Sequence, residues 1–306
     1  MVNVFSIYKP ILHGVMKLAG MSPRRVEIQP GTVLNIWAPT TTTTRTNKPA
    51  VVFLHGFAMD GIMTWQLQVL ALVKNYDVYV PDFVFFGESI TDRVERTVEF
   101  QSECMARGLR QLGVERCTLV GFSYGGIVGF KMAEMYADLV RSIVVTGSVI
   151  ALTEPVSNAA LERIGFPTWS DYLLPKTTKA PKDLKIMYKT ASYKQPNVPN
   201  FVYKDLMEAM YNNRKERHEL LEALVINDKA FTIPRYPQRI HILWGENDKI
   251  FDMETAKNLK EQVGEKATLE AVEKAGHIVN LERPYVYNRQ LKKILVSLVE
   301  ENVQDN

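Results

Sequence analysis

CTLVGFSYGG (117–126) decides how the chain is read. Its first six residues read as a buried strand. SYGGIVGFKMAEMYADLV, which starts at Ser123, has helical spacing. Between them lies G-x-S-x-G, Gly121-Phe122-Ser123-Tyr124-Gly125. A strand before and a helix after are the context this pentapeptide needs to act as a sharp turn presenting a serine. Small residues flank Ser123 because neighbouring side chains would collide in so tight a turn. The turn lifts the hydroxyl above the carboxyl edge of the sheet, where ligands bind in open α/β sheets. It also leaves the unpaired N–H groups of a helix N-terminus beside it.

Strand–helix alternation continues on both sides. AVVFLHGF (50–57), DVYVPDF (77–83), SIVVTGS (142–148), RIHILWG (239–245) and 267–272 read as strands. Helical spacing marks 60–74, 97–112, 252–263 and 284–301. RVEIQPGTVLNIWA (25–38) reads as two strands around the Pro30-Gly31 turn. A Thr-rich connection at 40–46 carries no periodicity. Repeated units of this kind predict an α/β fold with a mostly parallel sheet and helices on both faces. Residues 151–235 break the pattern and read as helices without a strand. The predicted organisation is an N-terminal amphipathic segment (1–24), a core (25–150 and 236–306) and an inserted helical cap (151–235).

A nucleophilic serine needs a base, and the base needs a buried carboxylate to fix its tautomer. Of five histidines, His277 alone occupies a late loop between a strand and the last helix. His55 ends a strand and reads as structural. His241 sits inside a strand, and His13 and His218 lie on helices. Asp248 follows the 239–244 strand and so reaches the same sheet edge. Glu246 and Asp252 are weaker candidates, and Asp82 is a competitor by position, read as a loop-structuring residue. Two N–H donors for an oxyanion come from Tyr124 and from Phe57 on the loop after the 51–55 strand. Met59, Phe166, Trp169, Met187, Met207 and Val279 are the candidate substrate contacts, an apolar set.

Together HGF (55–57), PDFVFFGES (81–89), GFSYGG (121–126), GENDKIF (245–251) and AGHIVNLERP (275–284) resemble the α/β-hydrolase family. The resemblance runs from about residue 25 to the C-terminus. It implies an eight-stranded, mainly parallel sheet and the triad Ser123–Asp248–His277. It is similar to the capped branch, which includes epoxide hydrolases, dehalogenases, C–C hydrolases and monoacylglycerol-lipase-like esterases. The leader IYKPILHGVMKLAGM resembles that of a group of plant members. Epoxide hydrolases and dehalogenases of the branch use an aspartate nucleophile, and position 123 is Ser. The reading is a serine esterase or lipase acting on a hydrophobic ester without metal or cofactor. A small-molecule receptor on the same fold, and an acyltransferase or thioesterase with the same triad, are the alternatives.

Composition bounds these readings. The chain has 306 residues, 37 basic against 34 acidic, for a net charge of +3. A chain this long can bury a core without disulfides or metal. The balanced charge argues against a nucleic-acid partner. Arg214-Lys215-Glu216-Arg217 carries its own acid and reads as a solvated helix face. Two cysteines, Cys104 and Cys117, cannot form a disulfide framework or fill a zinc site, and read as small buried hydrophobes. Residues 4–21 come closest to a long apolar stretch, but Lys9, Pro10, His13 and Lys17 interrupt it. They show no signal-peptide pattern. From Ile11 they fit a helix with one apolar face, which packs on the domain or lies in a membrane interface. The predicted location is cytoplasmic, with peripheral membrane contact through this segment as the second reading.

Overall fold

The computed structural model describes residues 2–40, 48–174, 181–195 and 197–304. The Thr-rich connection, apart from residue 40, lies outside them. In chain order the strands are β1 (Met21–Gln29), β2 (Thr32–Pro39), β3 (Ala50–Leu54), β4 (Asp77–Pro81), β5 (Ile90–Thr91), β6 (Cys117–Phe122), β7 (Val140–Thr146), β8 (Leu152–Thr153), β9 (Val225–Ile226), β10 (Arg239–Gly245) and β11 (Ala267–Val272). The helices are α1 (Val4–Leu18), α2 (Gly61–Leu72), α3 (Val98–Gln111), α4 (Tyr124–Met135), α5 (Glu154–Ile164), α6 (Trp169–Leu173), α7 (Pro181–Ala191), α8 (Asn200–Met210), α9 (Arg214–Leu224), α10 (Met253–Val263), α11 (Val279–Glu282) and α12 (Pro284–Gln304).

The main sheet runs β1-β2-β4-β3-β6-β7-β10-β11, with β5 paired to β2 off this path. It therefore has nine strands rather than eight, the extra one being two residues long. Pairing is antiparallel from β1 to β4 and parallel from β4 to β11. All six residues of β6 are buried. Successive side chains point to opposite faces, so both faces of the sheet centre are covered. Helices α3 and α4 pack together, as do α2, α11 and α12. Trp65 fills the core between Phe53, Phe122 and Tyr287.

β3 lies between β4 and β6, so the direction of winding reverses there. Leu54 pairs with Gly121, which brings the loops leaving β3 and β6 side by side. β7 ends at Thr146, two residues short of the sequence expectation, because Gly147 turns away at φ +55°.

Between β7 and β10 the described residues form helices α5–α9, a 3₁₀ turn and one pair of short strands. β8 and β9 pair parallel, Leu152 with Val225, so the two ends of the helical segment meet. Two-residue strands carry no periodicity for a sequence to reveal. Arg217 corrects the reading of a solvated charged face. It is 1% exposed and its guanidinium donates to the carbonyls of Phe85 and Met210 and to Asn212. It also stacks over the Phe86 ring. Lys215 on the same helix is exposed. Cys104 and Cys117 are free and buried, and burial pushes both thiols up to about 12, which keeps them unreactive. Among the described residues no helix is long and apolar enough to cross a membrane.

His55 and Asp82 hold the loops at the sheet edge. His55 Nδ1 bonds the Gly56 carbonyl, and Nε2 accepts from the Phe83 amide. Asp82 accepts from Asn35 Nδ2 and the amides of Gly61 and Glu88. Both read from sequence as structural, and both are spent on loop architecture. Burial pulls His55 from its ordinary 6.5 to about 4. Burial, with Asp60 nearby, pushes Asp82 up to about 7, against its hydrogen bonds.

Below pH 6.5 unfolded His55 takes a proton that folded His55 refuses until about pH 4, so its contribution is lost across that window. The raised Asp82 acts in the opposite sense, and comparison with a His55→Asn variant cancels it. The stability advantage of wild type over His55→Asn is expected to shrink by a few kcal/mol as pH falls from 6.5 to 4. Urea unfolding at several pH values measures this, and a constant difference contradicts it.

Candidate active site

The turn after β6 is as tight as its sequence requires. Ser123 sits at φ 53°, ψ −120°, a strained conformation for a residue with a side chain. Its amide donates to Thr146 O (2.9 Å), and its carbonyl accepts from the Gly126 amide and Ser148 Oγ. A Cβ on Gly121 would lie 2.7 Å from Gly126 Cα, and one on Gly125 would lie 2.3 Å from Leu54 O. The glycines are thus dictated by the close approach of β6, α4 and β3. Ser123 stands at the N-terminus of α4, but its hydroxyl makes no capping bond.

Asp248 follows β10 and His277 follows β11, at the same edge of the sheet. His277 Nδ1 and Asp248 Oδ2 are 2.7 Å apart, both residues being buried. Asp248 Oδ1 accepts from the Ile250 and Phe251 amides. A carboxylate on Nδ1 keeps the proton there and leaves Nε2 as the free acceptor of the neutral ring. The imidazole is flanked by the rings of Phe122 and Phe251. Asp252 is used elsewhere, capping α10 and pairing with Arg163.

Ser123, His277, Phe57 and Tyr124 line one cavity of about 830 Å³, its mouth included. A Cβ on Gly56 would lie 3.5 Å from Ser123 Cβ, so the Phe57 loop runs alongside the serine. The rings of Phe57 and Tyr124 meet edge-on at 5.6 Å. Burial raises the Tyr124 phenol above its ordinary range, which keeps it neutral.

The expected substrate contacts divide. Met59, Trp169 and Met187 line the cavity. Phe166, Met207 and Val279 do not, and the expectation is corrected for all three. Phe166 stacks edge-on against Tyr172, behind the wall. Met207 is buried in the packing of α8. Val279 is fully buried, and its neighbour Ile278 faces the cavity instead. Sequence reasoning missed Leu221, Leu224, Ile250 and Phe251, which complete the wall. The apolar pair after Asp248-Lys249 in GENDKIF was the available signal for the last two.

Glu282 was also missed. Its carboxylate accepts from the amides of Gly276, Tyr193 and Lys194 (2.8, 3.0 and 2.7 Å). The Ile278 amide donates to Ala191 O. A Cβ on Gly276 would lie 2.6 Å from Tyr193 N. The end of α7 is thereby seated, main chain on main chain, against the loop that carries His277.

The comparisons with known proteins agree with this architecture. The family described as alpha/beta hydrolase fold matches residues 49–284. "Lipase 3" of Moraxella sp. (strain TA144) is 23% identical over 76% of this chain and 72% of its own length. "Epoxide hydrolase 3" of Xenopus tropicalis is 24% identical over 81% and 71%. The crystal structure of a membrane phospholipase A superposes with a TM-score of 0.78 at 21% identity, covering 96% of this chain and 91% of that one, a likeness of fold.

Replacing Glu282 with Ala leaves three amides without their acceptor. The expected cost is roughly 1–3 kcal/mol, read as a lower thermal midpoint with faster proteolysis near residue 193. Unchanged stability and cleavage would show that the seam holds without it.

Proposed function

Because the chain belongs to the α/β-hydrolase fold family, we propose that it is a serine hydrolase cleaving carboxylic esters of hydrophobic acids or alcohols. The observation that carries this is a strained, uncapped Ser123 opening on the same apolar cavity as a His277 bonded to buried Asp248. Within the family the reading is of the capped, serine-dependent branch, with monoacylglycerol-lipase-like and plant esterase members. Helices α5–α9 act as the cap. The epoxide hydrolase relatives do not alter this, since their branch attacks with aspartate and position 123 is Ser.

In the proposed reaction His277 Nε2 takes the Ser123 proton as Oγ attacks the ester carbonyl. The oxyanion is held by the Phe57 and Tyr124 N–H groups. Asp248 steadies the imidazolium, which then protonates the departing alcohol. Water, deprotonated by His277, attacks the acyl-enzyme, and the collapse returns the proton to Ser123 and releases the acid. The apolar wall excludes other water and strengthens each of these charge interactions.

Turnover of esters of graded chain length, with Ser123→Ala as blank, tests the reading. Ser123→Ala is expected to lose at least about 10⁴-fold in kcat, and Asp248→Asn roughly as much through loss of the correct tautomer. Wild-type activity in Ser123→Ala would overturn the nucleophile. A small effect of Asp248→Asn beside a large one of Asp82→Asn would move the acid. A fluorophosphonate adduct on Ser123 separates an enzyme from a receptor, and added alcohol acceptors separate transfer from hydrolysis.

A further inference from the structure

Helix α1 has two apolar faces, and only one is used in packing. Leu12 and Met16 are buried against the body, with Phe5 partly so. The helix is fixed in place. Asn3 caps it and donates to Asp205 O, the Val4 amide donates to Asp205 Oδ2, and Lys9 pairs with Asp60 at 3.1 Å. Its orientation on the domain is therefore set by α8 and the head of α2.

The second face is Val4, Ile7, Tyr8, Ile11, Val15 and Leu18, all exposed, with Ile11 at 60% and Leu18 at 91%. At 100° per residue these positions fall within a stripe about 100° wide. That is the width of a face that normally packs, most open at Ile7, Ile11 and Leu18, while the Tyr8 hydroxyl bonds Gln66 of α2. Scattered exposed apolar residues need no explanation, but a contiguous row does.

The charge of the segment itself is one-sided, while Asp60, Asp205 and Glu208 of the body face its N-terminal half. Lys9, Lys17, Arg24 and Arg25 fall in the first 26 residues, where no Asp or Glu occurs, and Glu27 is the first acid. That segment carries +4 of a chain whose total is +3, so the remainder nets −1. Lys17 and Arg25 are exposed. Arg24 and Arg25 donate to the main-chain carbonyls of Thr40 and Glu88, bonds that neutralise no charge.

An apolar row accompanied by the exposed cations Lys17 and Arg25 is complementary to one surface above others, an anionic bilayer interface. We infer that α1 docks flat on anionic membrane, with Ile7, Ile11, Val15 and Leu18 entering the acyl boundary and Lys17 and Arg25 meeting headgroups. The α8 contacts then present the helical segment over the cavity to the membrane side.

Co-sedimentation of the full chain with phosphatidylcholine–phosphatidylserine vesicles, and with pure phosphatidylcholine vesicles, tests this. Partition needs no turnover, so the result is separate from the fate of the ester-hydrolase reading. The protein is expected to bind the anionic vesicles and to bind the neutral ones far less. Ile11→Glu and Leu18→Glu are each expected to weaken binding at least about tenfold. Lys17→Gln is expected to weaken it about fivefold. Thermal midpoints should stay at the wild-type value, because these side chains are exposed. Failure of the wild type to bind anionic vesicles overturns the inference, as does binding unchanged in both glutamate variants. So does a wild-type dimer that Ile11→Glu dissociates, which would assign the face to a second copy of this chain.

Discussion

The structure depends on one steric constraint, the approach of α4 to the ends of β3 and β6. Helix, turn and neighbouring strand come so close at Gly121 and Gly125 that no Cβ fits. This drives Ser123 into a conformation costing of order 1–3 kcal/mol. The strain is held by the bonds of Ser123 to Thr146, Gly126 and Ser148, and so by β7 as well as β6. Held this way, the serine makes no helix-capping bond with its hydroxyl. The same constraint brings the Phe57 loop beside it, because β3 and β6 are paired in register up to Leu54 and Gly121.

Two buried carboxylates at this edge show how environment divides labour. Asp248 gives one oxygen to two amides and the other to His277, so it orients a ring. Asp82 spends its oxygens on Asn35, Gly61 and Glu88, so it shapes a loop. Position along the chain makes both plausible partners for a base, since each follows a strand. Only the bonds each has already made tell them apart.

Much of this was legible in the sequence because its signals are local. A buried strand, a G-x-S-x-G turn and a helix lie within a few residues of one another, and Asp248 and His277 each follow a recognisable strand. The walls of the cavity were not legible, because they depend on how each helix is rotated. Val279 and Ile278 are adjacent, and one is buried while the other lines the site. Arg217 reads as solvated by its neighbours' charge, yet one carbonyl that receives it, that of Phe85, is far away in sequence. The same holds for Glu282, whose partners at Tyr193 and Lys194 belong to a different element. For α1 the two readings from sequence were packing on the domain or lying in a membrane interface; Leu12 and Met16 pack on the domain, and Ile11 and Leu18 are exposed on the adjacent face.

The pairing of β8 with β9 bears on how such a molecule can diverge. It joins the start and finish of the helical segment at one point beside the sheet. To the core, the chain between Leu152 and Val225 leaves and returns at one place, and is tied down besides where Arg217 reaches Phe85 and where the end of α7 meets Glu282. The entropy of closing a loop grows only logarithmically with its length, about 0.6 kcal/mol for each doubling. Away from those ties, residues can therefore be inserted or exchanged there at little expense to the sheet. The cavity's ceiling is free to change on an evolutionary timescale while its floor, bound by the contacts of Gly121 and Gly125, stays fixed.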